Sequence, residues 1–275
     1  MRERPAVVHW RFAAAGGGGL PPVDRVEAWL APAEQRRARA FRVPKRRDDW
    51  LAGRLNLKAL VCDVFEARFH ERPSPASVLI DRLSSGAPVA RWADGDRAGD
   101  QDVARCSPGA ESLPLSVSNS HSHGAALGAA LWVDGFAASG WGAAVGTDLE
   151  WIEPRSDGFV RDFLTEPERR YCAAGGDERH LRANLLWSAK ESVLKVLQVG
   201  LKADTWWVTC LPDEPGPAGS EPPEVEVAPQ PDTGRWRPFH VSCDERLGAA
   251  GVRFGGVWRV IDGYVATIAV GLRRT

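Results

Sequence analysis

A chain of 275 residues, 44% hydrophobic and 26% charged, can bury a sizeable core, either as one large domain or as two compact halves. A formal net charge of −1 provides no overall attraction to nucleic acid or to an anionic membrane, so any anion site must be local. The cysteines Cys62, Cys106, Cys172, Cys210 and Cys243 are odd in number and form no CxxC pair, which argues against a disulfide framework or a thiolate zinc site.

In chain order, Val7–Phe12 reads as a strand, followed by a glycine-rich run over residues 13–19. The segment 24–65 is helical in character, with Pro32 and Pro44 placed to start new helices. Leu51, Leu55, Ala59 and Leu60 recur there at helical spacing. Short strands are expected at Val78–Ile80, Pro88–Trp92 and Leu113–Val117, with a Gly/Asp/Arg/Ser-rich loop over 93–111. Ala125–Val133 and Ala143–Leu149 read as buried strands, and a long helix is expected over 177–198. Strands follow at 206–210, 224–227, 236–241, 252–260 and 264–270, interrupted by a Pro/Gly-rich loop over 212–223. The pattern is α+β in two halves, with a change near Gly146 that puts the division at residues 1–145 and 146–275. No internal repeat is visible. The basic N-terminus carries no apolar stretch, and no segment approaches the roughly 18 apolar residues of a membrane span, so a soluble, cytoplasmic protein is expected.

Asp148 and Glu150 close an apolar strand at i and i+2, on one face. On the later helix, Trp187, Glu191 and Lys195 follow at i, i+4 and i+8, on one stripe. Three carboxylates from two elements suit a hard dication with open positions for phosphate oxygens. Taken singly, each pattern is more often bland: an Asp-x-Glu is usually a solvated turn, and a Glu–Lys pair at i,i+4 contributes only about 0.2–0.5 kcal/mol.

The residues themselves go further. Gly146-Thr147-Asp148-Leu149-Glu150 resembles the G-[IV]-D-[IVL]-E signature of the 4'-phosphopantetheinyl transferases. Trp187-Ser188-Ala189-Lys190-Glu191-Ser192-Val193-Leu194-Lys195 is similar to that family's W-[ST]-x-K-E-[SA]-x-x-K motif. Upstream, Phe41, Lys45, Gly53 and Arg54 resemble an early helical segment, and Arg82 to Pro88 resembles R-x-x-x-G-K-P with Ala87 in place of the usual Lys. Leu115 to Ser122 is similar to the motif that ends in Ser-His-Ser, with His121 as its histidine, and Gly263 to Val270 resembles the last strand.

The resemblance implies two similar α/β subdomains packed with pseudo-two-fold symmetry, in a monomer of the surfactin-synthetase-activating type. It implies transfer of phosphopantetheine from coenzyme A to a serine of an apo acyl or peptidyl carrier protein. By residue, it implies Asp148, Glu150 and Glu191 as ligands of Mg²⁺, with Mn²⁺ as a substitute. Glu191, Lys195 and Asp148 become the catalytic set, and Lys45, Arg54, Arg82, His121, Lys190 and Lys195 the coenzyme A contacts. A base near the incoming hydroxyl is Glu191 itself or a metal-bound water; sequence does not separate these. Zinc at His121 and His123 is disfavoured because no third His or Cys is near in sequence. The basic run from Arg36 to Arg47 is a solvated face, or a surface for an anionic cofactor or an acidic carrier helix. Trp187 is expected to pack and so to fix its helix. The competing readings are a non-catalytic coenzyme A or carrier-protein binding module, and a different Mg²⁺-dependent phosphotransferase.

Overall fold

The computed structural model describes residues 5–14, 20–21, 25–93, 112–212, 223–229 and 234–274. Cys106 and most of the three loops expected at 13–19, 93–111 and 212–223 lie outside those residues. The fold is α+β, and the chain divides into two compact units, His9–Asp134 and Met1–Val8 with Gly135–Thr275. The division expected between 145 and 146 would cut one continuous strand, β6 (Trp141–Trp151), which pairs along its length with β11 (Tyr264–Arg274). Met1–Val8 belong with the C-terminal unit because Ala6–Val8 pair in parallel with Val225–Val227.

The N-terminal unit takes β1 (Ala6–Ala13) from His9 onward, then α1 (Val26–Trp29), α2 (Pro32–Ala40), α3 (Pro44–Phe69), β2 (Val78–Arg82), β3 (Pro88–Trp92), β4 (Leu115–Ser122) and β5 (Ala125–Trp132). Pro32 and Pro44 both open helices, where the missing N–H costs nothing. From α3, Leu57, Leu60, Val61, Val64 and Phe65 bury their side chains among Val78, Ile80, Val117 and Ala130.

In the C-terminal unit, α4 (Asp134–Ala137) and β6 lead to α5 (Asp157–Phe163), α6 (Glu166–Ala173) and α7 (Arg179–Val196). Then come β7 (Val208–Pro212), β8 (Val225–Val227), β9 (Arg237–Cys243), β10 (Val252–Ile261) and β11; all of these but β8, which pairs with β1, form a sheet with β6 in the order β6-β11-β10-β9-β7. Leu185, Ala189 and Val193, one helical turn apart, press α7 onto Val265 and Ala269 of that sheet. Neither α5 nor α6 was expected. Their signals are local: Ser156 Oγ accepts from Phe159 N at 3.1 Å, and Thr165 with Glu168 forms a capping box. No helix among the described residues is long and apolar enough to cross a membrane.

One buried device occurs in both units. In the N-terminal unit, Glu34 of α2 accepts from Ala31 N at 3.0 Å and Ile80 N at 3.2 Å, while Lys58 of α3 donates to Glu34 and to Val78 O. In the C-terminal unit, Glu168 of α6 accepts from Thr165 N at 2.7 Å and Cys210 N at 2.8 Å. Lys190 of α7 donates to Glu168 and to Val208 O. A short helix, a long helix and the strand that follows are thus clamped alike. Five residues beyond each lysine, a strand-to-helix ion pair recurs with its charges exchanged: Arg11 with Asp63 at 2.9 Å, Asp148 with Lys195 at 2.7 Å. The similarity is tertiary, carried by few identities, which is why no repeat shows in the sequence.

Candidate metal and phosphate site

β6 delivers Asp148 and Glu150, and α7 delivers Glu191 and Lys195. The two elements are tied through β11: Thr147 Oγ1 donates to Thr267 O at 2.7 Å, and Thr267 Oγ1 donates to Ser188 O at 2.9 Å. Asp148 is 4% exposed. Lys195 Nζ donates to its Oδ1 at 2.7 Å and to Thr147 O at 2.9 Å. Glu150 Oε1 accepts from the Trp187 indole at 3.1 Å, and its Oε2 from Arg155 at 2.8 Å. Trp187 also packs edge-on against Phe159 and Phe163, so it does fix its helix, and it holds a carboxylate as well.

Burial, then the charge of Asp148, pushes the Glu150 carboxyl up to about 7, against the pull of Arg155 and Trp187. Burial and Asp148 likewise raise Glu191, with Lys195 opposing. Glu191 Oε1 is buried and accepts no hydrogen bond. Among the described residues no three His, Cys, Asp or Glu side chains stand as a ready-made ligand cluster. Asp148 and Glu150 are instead engaged by Lys195, Arg155 and Trp187. The donor set still fits a hard dication: it is all oxygen, one buried oxygen lacks a donor, and a third carboxylate drives its neighbours toward protonation.

Linkage makes this testable. Glu150 holds its proton more tightly folded, at about 7, than at the ordinary 4.5. Its contribution to stability is therefore complete below the ordinary value and lost as pH rises through about 7, by no more than about 3 kcal/mol. EDTA-treated protein is expected to melt higher at about pH 5.5 than at about pH 8, and Mg²⁺ to raise the melting temperature mainly at the higher pH. An equal Mg²⁺ effect at both pH values would count against the site.

The remaining expected residues lie in different surroundings. Lys190 is a correction: it is fully buried, and Glu168, Thr205 O and Val208 O take its three donors, leaving none for coenzyme A. Arg54 is also largely enclosed, 3.4 Å from Glu34 and stacked 4.9 Å from the Trp50 ring. Burial lowers it to about 10, Glu34 opposes, and the nearby cations Arg82 and Arg37 lower it further. Arg82 is exposed at the end of β2, opposite Pro88 in the hairpin that holds the Ala87 departure. Lys45 is exposed and paired with Asp49 at 3.0 Å, and the run from Arg36 to Arg47 is largely solvent-facing apart from the buried Ala38. His121 is exposed on β4; a Cβ at Gly53 would lie 3.6 Å from its ring. Arg155, Asn184 and Glu168 were missed; the Thr165-x-x-Glu168 capping pattern marks the last, while no local signal marks the first two.

Residues 144–239 match the family model described as the 4'-phosphopantetheinyl transferase superfamily. That stretch is about a third of the chain and contains Asp148, Glu150, Glu191 and Lys195. Among solved structures, the chain is similar to an apo-ACPS from Chronobacterium ammoniagenes, with 15% identity over 49% of this chain and 99% of that one, TM-score 0.35. It is similar also to an ACPS–CoA complex from the same source, with 16% identity over 48% and 98% and TM-score 0.34. None of the curated proteins compared with the chain matches it.

Proposed function

We propose that this chain transfers the 4'-phosphopantetheine arm of coenzyme A to a serine of an apo acyl or peptidyl carrier protein. The observation that carries this reading is the convergence of Asp148, Glu150, Glu191 and Lys195 on two packed elements, inside the stretch that the superfamily model matches. The serine oxygen attacks the β-phosphorus, the bond from that phosphorus to the bridging oxygen breaks, and 3',5'-ADP leaves. Asp148, Glu150 and Glu191 would hold Mg²⁺, which when bound supplies charge neutralisation for the diphosphate. Glu191, with a buried oxygen that accepts no hydrogen bond and a carboxyl raised by burial, would take or relay the hydroxyl proton. Lys195 would exchange its contact with Asp148 for a phosphate oxygen; at an effective dielectric near 20, one such pair at 4 Å contributes about 4 kcal/mol.

For the cofactor, Lys45, Arg54, Arg82 and His121 are proposed on the resemblance, with Arg82 and Arg37 the exposed cations around Arg54. The basic ridge of α2 and the start of α3 suits the acidic face of a carrier. A monomer of the surfactin-synthetase-activating type, acting in the cytoplasm on a fatty-acid, polyketide or nonribosomal-peptide carrier, completes the reading.

Intact-protein mass spectrometry tests it. An apo carrier incubated with coenzyme A, Mg²⁺ and this protein is expected to gain the phosphopantetheine mass, and to gain nothing with EDTA or with Asp148→Asn. Coenzyme A binding without transfer to any of several carriers would favour the binding-module reading.

A further inference from the structure

Arg155, in the segment between β6 and α5, has no place in the chemistry above, yet its guanidinium meets three acceptors. Nη2 donates to Glu150 Oε2 at 2.8 Å, Nε to Asn184 Oδ1 at 2.7 Å, and Nη1 lies 3.1 Å from Glu153 Oε1. Its Cζ sits over the Phe159 ring, 4.8 Å from the centroid, and its backbone N donates to His180 Nδ1 at 3.2 Å. Asn184 is fully buried in α7 and fixed in turn, donating to Glu153 O at 2.8 Å and His180 O at 2.7 Å. A chain of hydrogen bonds thus runs from α7 through Asn184 and Arg155 to one oxygen of Glu150, while Trp187, also on α7, holds the other. Two of the roughly four lone-pair positions of that carboxylate are used. Acceptor capacity remains for a cation, but the freedom of the side chain is gone.

We propose that Arg155 is a positioning residue for the cation centre: the fork of its guanidinium, anchored by Asn184, sets the direction of Glu150 as a ligand. This rests on the reading of Asp148, Glu150 and Glu191 as cation ligands. A counter-charge alone would need neither the Asn184 contact nor three separate acceptors, and a lysine would serve as well. A fork that bridges Glu150 and Asn184 has no lysine equivalent. Groups that orient a ligand typically cost 10- to 100-fold in metal affinity when lost.

The test is Mn²⁺ binding to the full chain, followed by the electron paramagnetic resonance of the free ion, with and without coenzyme A. Arg155→Gln and Arg155→Lys are both expected to weaken binding about tenfold or more, and Asn184→Ala to weaken it in the same direction by less. On a Glu150→Gln background, Arg155→Gln should add no further loss, the coupling expected of residues that act as one unit. Circular dichroism melts confirm that each variant is folded, and Arg155→Lys keeps the test open if Arg155→Gln is not. Wild-type affinity in Arg155→Lys, or additive losses in the double variant, would overturn the proposal while leaving the ligand reading intact. A wild-type chain that takes up no Mn²⁺, or binds it equally well with Asp148→Asn, would bring down the ligand reading and the proposal with it.

Discussion

Glu168→Gln is expected to destabilise the C-terminal unit by about 3–5 kcal/mol, far more than a typical substitution. Glu168 and Lys190 are both fully buried, 2.8 Å apart. All of the carboxylate's partners are donors: Thr165 N and Oγ1, Cys210 N and Lys190 Nζ. An amide in that place turns a donor toward donors and leaves an ammonium ion buried without its counter-charge. The consequence reaches the site, because Lys190 anchors the helix that carries Glu191 next to it and Lys195 a turn later. Denaturant unfolding measures the loss. Replacing both partners with methionine should cost less than the sum of the single changes, since no uncompensated charge remains. A Glu168→Gln protein with near wild-type stability would mean that Thr205 O and Val208 O alone satisfy Lys190, and that the pair clamps nothing. Glu34→Gln should act in the same way on the N-terminal unit, where both Lys58 and Arg54 rely on Glu34.

How far the sequence could be read depended on the range of the forces involved. β3 spans Pro88–Trp92 as its β-branched and aromatic pattern predicts, and the helices opened by Pro32 and Pro44 begin there because proline acts on its own backbone. Period two placed Asp148 and Glu150 on one strand face, and in the structure the charge of Asp148 acts on Glu150. Period 3.6 placed Glu191 and Lys195 together, and Asp148 acts on one and is bonded to the other. α5 and α6 escaped because they are short and declared mainly by caps, with little apolar rhythm. The burial of Lys190 was illegible for a different reason. A lysine beside a glutamate looks solvent-facing until Thr205 and Val208 bring their carbonyls to it, and nothing local in the chain announces that. Arg155 was hidden likewise, since its partner Asn184 lies beyond two intervening helices. The change of character at Gly146 falls within β6, where no structural break occurs, because that strand pairs with β11 along its whole length.

Gly146→Ala is expected to abolish Mn²⁺ binding and to cost about 3 kcal/mol or more, at the upper end of overpacking. The glycine is required here for space, since its backbone is not in the left-handed region. A Cβ at position 146 would lie 2.0 Å from Ser192 O and 2.9 Å from Val196 N, both main-chain atoms of α7. No rotamer change relieves such a contact, so the helix itself must retreat from β6. It cannot do so freely: Lys190 holds it on one side, and Thr267 bonds to Ser188 on another. Glu191 and Lys195 flank the two contact points, so any retreat separates Glu191 from Asp148 and lengthens the 2.7 Å Lys195–Asp148 pair. Gly135→Ala is the control, with nothing within 4 Å of its added methyl group and a helical position that favours alanine. A Gly146→Ala protein that stays folded and binds Mn²⁺ as the wild type does would mean that the close approach of α7 to β6 is not what sets the carboxylates. The ligand set would then have to be sought on β6 and its neighbouring strands alone.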